Sequence, residues 1–128
     1  MPILVDANVI IDFKRGREES VDIFDLLFKN RTQIHTSVVC AMEVFRGDIN
    51  KGEMHHTSKL LSFFNVIPVN TAVSHSAYEL LKKFNKSHGL DIADSFIVAT
   101  ALVHNLKFLT QDTKHFKMIQ GLELERPY

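Results

Sequence analysis

The chain has one cysteine among its 128 residues and no excess of either charge, with 15 Lys plus Arg against 15 Asp plus Glu. A lone Cys40 excludes an intramolecular disulfide and fits a reducing compartment. It lies in an apolar helical stretch, where a thiol is more often buried filler than a nucleophile. Zero net charge removes the overall basic signature of a nucleic-acid binder. It leaves room for a local basic rim, which acts where the total is nil. No long apolar run is present, and the start, Met1-Pro2-Ile3-Leu4-Val5-Asp6, has no basic n-region. Neither a signal peptide nor a membrane span is expected, and the protein reads as cytoplasmic. There is no internal repeat, low-complexity tract or linker, so residues 1–128 are expected to form a single domain with its own core.

What is present is an alternation of short apolar strands with helices. Ile3, Leu4 and Val5 are continuous rather than alternating, as in a strand buried on both faces. Val9 to Phe13 continues into a helical turn, closed by the basic loop Lys14-Arg15-Gly16-Arg17. A helix over 19–29 follows, then the strand Ile34-His35-Thr36, then a helix capped by Ser37. The polar turn 47–52 leads to a helix over 53–64 with Met54, Leu60, Leu61 and Phe64 as its core face. Val66 to Val69 is a third strand, stopped near Pro68. Thr71 is expected to cap a long amphipathic helix that ends at Gly89. Its lysines Lys82, Lys83 and Lys86 are a solvated face or a polyanion surface. Leu106 to Leu109 is a fourth strand, and Leu122-Glu123-Leu124 an edge strand. This alternation predicts a parallel sheet covered on both faces.

The central feature is the stretch from Leu90 to Leu102. Ile92, Ala93, Phe96, Ile97 and Thr100 fall at helical spacing among small residues, with Asp91 and Asp94 in the first turn. One of the two closes a cap and the other is left over. Helix-dipole stabilisation accounts for both acids without any site. The rest of the chain adds acids with related addresses. Asp6 and Asp112 follow short apolar strands, and Glu43 lies on an apolar helix. With the first strand central, Asp6, Glu43, Asp94 and Asp112 would converge over the carboxyl edge of the sheet, where open α/β sheets bind ligands. Such a cluster raises its members' proton affinities unless a cation neutralises it. Oxygen ligands without a dedicated histidine suit Mg²⁺ or Mn²⁺ rather than zinc. His55 and His56 are adjacent and point apart on a helix, so they do not chelate one ion. A hard cation on carboxylates is a device for phosphoryl chemistry. Asp6 and Asn8 also read as caps of the first helix, and Lys14, Arg15 and Arg17 as a solvated loop.

The chain resembles the PIN-domain nucleases, and within them the VapC-type toxins of toxin–antitoxin pairs. The resemblance is carried by Leu4-Val5-Asp6-Ala7-Asn8-Val9-Ile10-Ile11-Asp12 and by Ser37-Val38-Val39-Cys40-Ala41-Met42-Glu43-Val44-Phe45-Arg46-Gly47. It continues in Ile92-Ala93-Asp94-Ser95-Phe96-Ile97-Val98-Ala99-Thr100-Ala101, in Leu109-Thr110-Gln111-Asp112, and in Lys114-His115-Phe116 followed by Gly121-Leu122. It implies a three-layer α/β/α sandwich around a short parallel sheet. It implies an acidic quartet, Asp6, Glu43, Asp94 and Asp112, holding Mg²⁺ or Mn²⁺, with Asn8 orienting the site. The implied activity is endonucleolytic cleavage of RNA by metal-activated water. The implied partners are a second copy of the chain and a cognate VapB-like antitoxin whose C-terminal segment enters the active-site groove. Arg15, Arg17 and Arg46 are the candidate phosphate contacts, and the 53–64 helix the candidate dimer surface. Two departures stand out: Ala7 replaces a hydroxyl residue common in relatives, and Asp91 is an extra acid beside Asp94. Asp12 also recurs in relatives and is expected to be structural. The rival readings are an RNA-processing PIN nuclease without antitoxin and an inactive PIN-like binding module. A receiver domain would need paired acids at the first strand end, and an aspartyl phosphatase a second Asp where Asn8 stands.

Overall fold

The computed structural model describes residues 2–128. Its centre is β1 (Ile3–Val5), three apolar residues buried on both faces. β1 pairs in parallel with β2 (Ile34–Ser37) on one side and with β4 (Lys107–Leu109) on the other. β3 (Asn65–Ile67) and β5 (Leu124–Glu125) form the edges, so the sheet runs β3-β2-β1-β4-β5. The chain steps outward from β1 to β3, then crosses back to β4. The order therefore reverses between β1 and β4, and the carboxyl ends of these two strands flank a crevice.

Among the described residues six α-helices join the strands: α1 (Ala7–Lys14), α2 (Glu18–Lys29), α3 (Val38–Arg46), α4 (Lys51–Leu61), α5 (Thr71–His88) and α6 (Ile92–Val103). α1 packs on α2 and α3, and α5 packs along α6. Parallel crossovers are right-handed, so reversing the direction of travel puts α5 and α6 on the face opposite α1 to α4. The result is the three-layer α/β/α sandwich around a short parallel sheet that the resemblance implies. Leu4, Val5, Val9, Ile10, Phe24, Val98 and Phe108 are buried at its core. No helix is long and apolar enough to cross a membrane among the described residues.

Side-chain caps set the helix starts. Ser37 Oγ accepts from Cys40 N at 3.0 Å, and Asp91 Oδ1 accepts from Asp94 N at 2.8 Å. Asn50 accepts from Glu53 N while Glu53 reaches back to Ile49 N, which starts α4 at Lys51, earlier than its apolar residues indicate. The cap of α5 is Asn70, not Thr71, because the Asn70 side chain reaches Val73 N at 2.9 Å. Gly89 closes α5 in the left-handed conformation, at φ +72°, where a side chain would be strained.

Other expectations are corrected. β3 stops at Ile67, since Pro68 has no N–H to continue the ladder. β5 begins at Leu124 rather than Leu122, in register with Phe108. Met54 is exposed, because α4 buries Thr57 and Leu61 instead. Ile92 is 64% exposed, because the first turn of α6 stands clear of the sheet while its later turns are buried.

Candidate active site

Asp6 sits where β1 ends and α1 begins, at the point where the strand order reverses. Its side chain caps α1: Oδ1 accepts from Ala7 N at 2.8 Å. The same oxygen lies 3.7 Å from Cys40 Sγ, and Oδ2 accepts from Thr110 Oγ1 at 2.8 Å. Capping and a site role therefore coexist in one carboxylate. Thr110 Oγ1 is saturated, since it also accepts from Asn8 Nδ2 at 3.2 Å and from Asp112 N at 3.1 Å. Asn8 Oδ1 in turn accepts from Gln111 N at 3.4 Å. Asn8 and Thr110 thus tie the end of β1 to the loop after β4, which carries Asp112.

Glu43 on α3 and Asp94 on α6 face the same crevice. Asp6, Asn8, Glu43, Arg46, Asp94 and Asp112 line one cleft of about 270 Å³, closed behind by Ala7, Ile11 and Phe116. Four carboxylates and one guanidinium share this small space. Burial pushes the Asp6 carboxyl up, against the hydrogen bonds that favour its charge, and Asp112 adds repulsion. Glu43 is raised by burial and by the charges of Asp6 and Asp94, with Arg46 opposing. Asp94 is raised to about 6 by burial and by Asp91, with His115 opposing.

Mutual repulsion of this kind fits a divalent cation. Ligand atoms of Asp6, Cys40 and Glu43 lie within 4.8 Å of one another. Cys40 is a poor member of such a set: burial, then the charge of Asp6, pushes its thiol up to about 12. It remains an S–H that donates toward Asp6. The donor set that fits is the carboxylates, which is chemistry for Mg²⁺ or Mn²⁺.

The structure brings Asp6, Asn8, Glu43, Arg46, Asp94 and Asp112 together. It does not bring Arg15 and Arg17 to this cleft. Arg15 caps the far end of α1, opposite Asp6. Arg17 pairs with Asp12 and Glu19 and stacks 4.9 Å over the Tyr128 ring. Asp12 also accepts from Tyr128 Oη at 2.7 Å, a structural role.

Two residues of the site escaped sequence reasoning. Thr110 had a weak signal, a hydroxyl at a strand's carboxyl end. His115 stands in the Lys114-His115-Phe116 run of the resemblance, which gave it no role: its Nε2 lies 2.9 Å from Asp94 Oδ2, across 21 positions of chain. Beside the acidic cleft runs an apolar groove of about 560 Å³ between α3 and α6, lined by Val39, Met42, Ile92, Ala93 and Phe96. Glu43 and Arg46 border both concavities.

The family model of the PIN domain matches residues 3–122. Ribonuclease VapC10 of Mycobacterium tuberculosis is 31% identical over 124 residues, covering 94% of this chain and 90% of that protein. Ribonuclease VapC19 of the same species is 27% identical over 129 residues, covering 98% of both. A solved toxin–antitoxin complex from Klebsiella pneumoniae contains a chain that superposes with a TM-score of 0.80 at 30% identity, covering 98% of each. The acidic cleft at the switch point, the three-layer sandwich and these likenesses agree, and the chain belongs to the PIN-domain family, in its VapC-type branch.

Proposed function

We propose that this protein is the toxin of a VapBC-type toxin–antitoxin pair, an Mg²⁺- or Mn²⁺-dependent endoribonuclease. The observation that carries the reading is the convergence of Asp6, Glu43, Asp94 and Asp112 on one cleft at the carboxyl edge of the sheet. Likeness to the VapC ribonucleases and to a chain of the Klebsiella toxin–antitoxin complex supports it. Residues 1–128 act as one PIN-like domain in the cytoplasm.

In this reading Asp6, Glu43 and Asp94 would hold the cation, and Asp112 would hold a second ion or orient the attacking water. A bound Mg²⁺ or Mn²⁺ would make a coordinated water more acidic and offset negative charge on the phosphate. Hydrolysis is a displacement at phosphorus: the water oxygen bonds to phosphorus and gives up a proton, the phosphorus–oxygen ester bond breaks, and the leaving oxygen takes up a proton from solvent. Thr110 and Asn8 hold Asp6 and the Asp112 loop in register. Arg46, the one arginine lining the cleft, binds a substrate phosphate. Arg15 and Arg17 have no such part here.

The apolar groove takes the C-terminal segment of a VapB-like antitoxin. An amphipathic segment laid on Met42, Ile92 and Phe96 would pass directly over Glu43 and block the acidic cleft. A second copy of the chain packs on the exposed aromatic end of α4 and α2, where Phe63 is 70% exposed and its ring lies 6.2 Å from that of Phe28. Sedimentation at micromolar concentration is expected to show a dimer, and a monomer would remove this part of the reading.

The deciding experiment is cleavage of a defined RNA mixture with Mg²⁺, with Mn²⁺ and with chelator, beside an identically prepared Asp94→Asn protein. Metal-dependent cuts that vanish in the variant are expected. Equal cutting by both proteins would assign the activity to a contaminant. Folded protein that neither cuts nor binds Mn²⁺ would favour a binding module.

A further inference from the structure

The bond between His115 and Asp94 borders the cleft and has no part in the proposed chemistry. His115 Nε2 lies 2.9 Å from Asp94 Oδ2, with both side chains about a quarter exposed. The two ends of the bond are independently anchored. Asp94 is held in the first turn of α6, its N–H on the Asp91 cap. The His115 ring stands edge-on to Phe116 at 5.1 Å and 76°. Phe116 is buried and stands edge-on in turn to Phe108 of β4 at 5.3 Å. A chain of rings rooted in the sheet therefore aims the imidazole. Asp94 Oδ2 is engaged, which leaves Oδ1 as the free oxygen. The bond also joins α6 to the 3₁₀ turn Thr113–Phe116 that follows Asp112.

We propose that His115 is a positioning residue for the metal site: its N–H on Oδ2 fixes the Asp94 carboxylate so that a single oxygen, Oδ1, is presented to the cation, and it ties Asp94 to the turn carrying Asp112. The inference rests on the metal reading of the cleft. A donor behind a ligating carboxylate restricts its rotation before the ion arrives, so less order is lost on binding. Loss of such outer partners lowers metal affinity by about 10- to 100-fold.

The test is Mn²⁺ binding to the full chain by calorimetry at one fixed pH, for the natural protein, His115→Ala and His115→Gln, with thermal unfolding of each metal-free protein. Glutamine places an amide N–H at nearly the reach of Nε2, so His115→Gln is expected to bind within a few-fold of the natural protein. His115→Ala is expected to bind at least about tenfold more weakly while unfolding near the natural midpoint. Unchanged or tighter Mn²⁺ binding by His115→Ala would overturn the proposal, the latter by showing that the imidazole competes for Asp94. Equal weakness of His115→Gln and His115→Ala would overturn it too, assigning the effect to ring packing. No Mn²⁺ binding by the natural protein would overturn the metal reading and this proposal together. Binding without RNA cleavage would strike the nuclease reading alone.

Discussion

The two ends of the sheet carry polar clefts of opposite character. The amino-edge cleft, about 380 Å³, is lined by Pro2, Gln33, His35, Asn65, Ile67, Pro68, His104 and Leu106. It is larger than the acidic cleft of about 270 Å³ at the carboxyl edge. Asn65 Nδ2 lies 3.0 Å from His35 Nδ1 there, and burial, then repulsion from His104, holds the His35 imidazole below its usual range, toward the neutral form. At the carboxyl edge the crowded groups are carboxylates, and Asp6, Glu43 and Asp94 are all raised. Size does not mark the site. Like charges assembled at some cost to the fold do, since such an arrangement persists where a ligand compensates it.

The largest test of that contrast is on activity. Asp94→Asn is expected to lower RNA cleavage by more than about 100-fold, beyond the effect of losing an outer partner. His35→Gln, at the other end of the sheet, is expected to leave the cleavage rate unchanged in the same assay. Comparable losses from both substitutions would erase the distinction between the clefts.

Metal addition is the next. Mn²⁺ at roughly a hundred times its dissociation constant is expected to stabilise the protein by about 2.7 kcal/mol. The gain is read as a rise in unfolding midpoint reversed by chelator. It should persist in His35→Gln and disappear in Asp94→Asn. A gain retained by Asp94→Asn would place the ion elsewhere.

Thr110→Val sharpens the account of how the acidic cleft is held. Valine removes the donor to Asp6 Oδ2 and the acceptor for Asn8 Nδ2 and Asp112 N. Buried partners left unpaired cost about 1–3 kcal/mol, measurable by urea unfolding. Loss of the donor also removes support for the charged form of Asp6, so Mn²⁺ affinity is expected to fall as well.

The smallest effect is on pH, where the clefts have opposite signs. Asp94 is raised from 3.8 to about 6, so the metal-free folded state binds more protons than the unfolded chain between these values. Its contribution to stability is present at low pH and is lost as pH rises toward and through 6. Lowered His35 acts the other way: the unfolded chain takes up the proton first, and stability falls as pH drops below about 6.5. Metal-free Asp94→Asn should lose the first component and His35→Gln the second, seen as changes of slope in midpoint against pH. Mn²⁺ competes with the Asp94 proton, so its affinity is expected to climb as pH rises through about 6.

Most of the acidic cleft was legible in the chain, because strand ends and helix first turns are local features. Asp6 after Ile3-Leu4-Val5 and Asp94 before a run of small residues carry their addresses in their neighbours. The basic rim was less legible. Arg15 and Arg17 read like Arg46, yet only Arg46 lines the cleft. The reach of an arginine depends on where its helix is docked, and Arg17 is taken up by Asp12, Glu19 and Tyr128. Exposure of Ile92 and Met54 was illegible for the same reason, as a hydrophobic stripe does not say which of its turns meets the sheet.

Local sequence accounts for the alternating strands and helices, the buried central strand, the Ser37 start and the Gly89 stop. Each of these depends on side-chain period, capping or backbone conformation within a few residues. It also determined that four acids would follow strands or sit on apolar helices. Which groups face those acids depends on packing: Thr110 meets Asp6 across 104 positions, and His115 meets Asp94 across 21. The pairing of β1 with β4 sets the first, and the docking of α6 against the turn after β4 sets the second. Hydrogen bonds and charge repulsion depend on distance in space, and that distance exists only once the layers have packed.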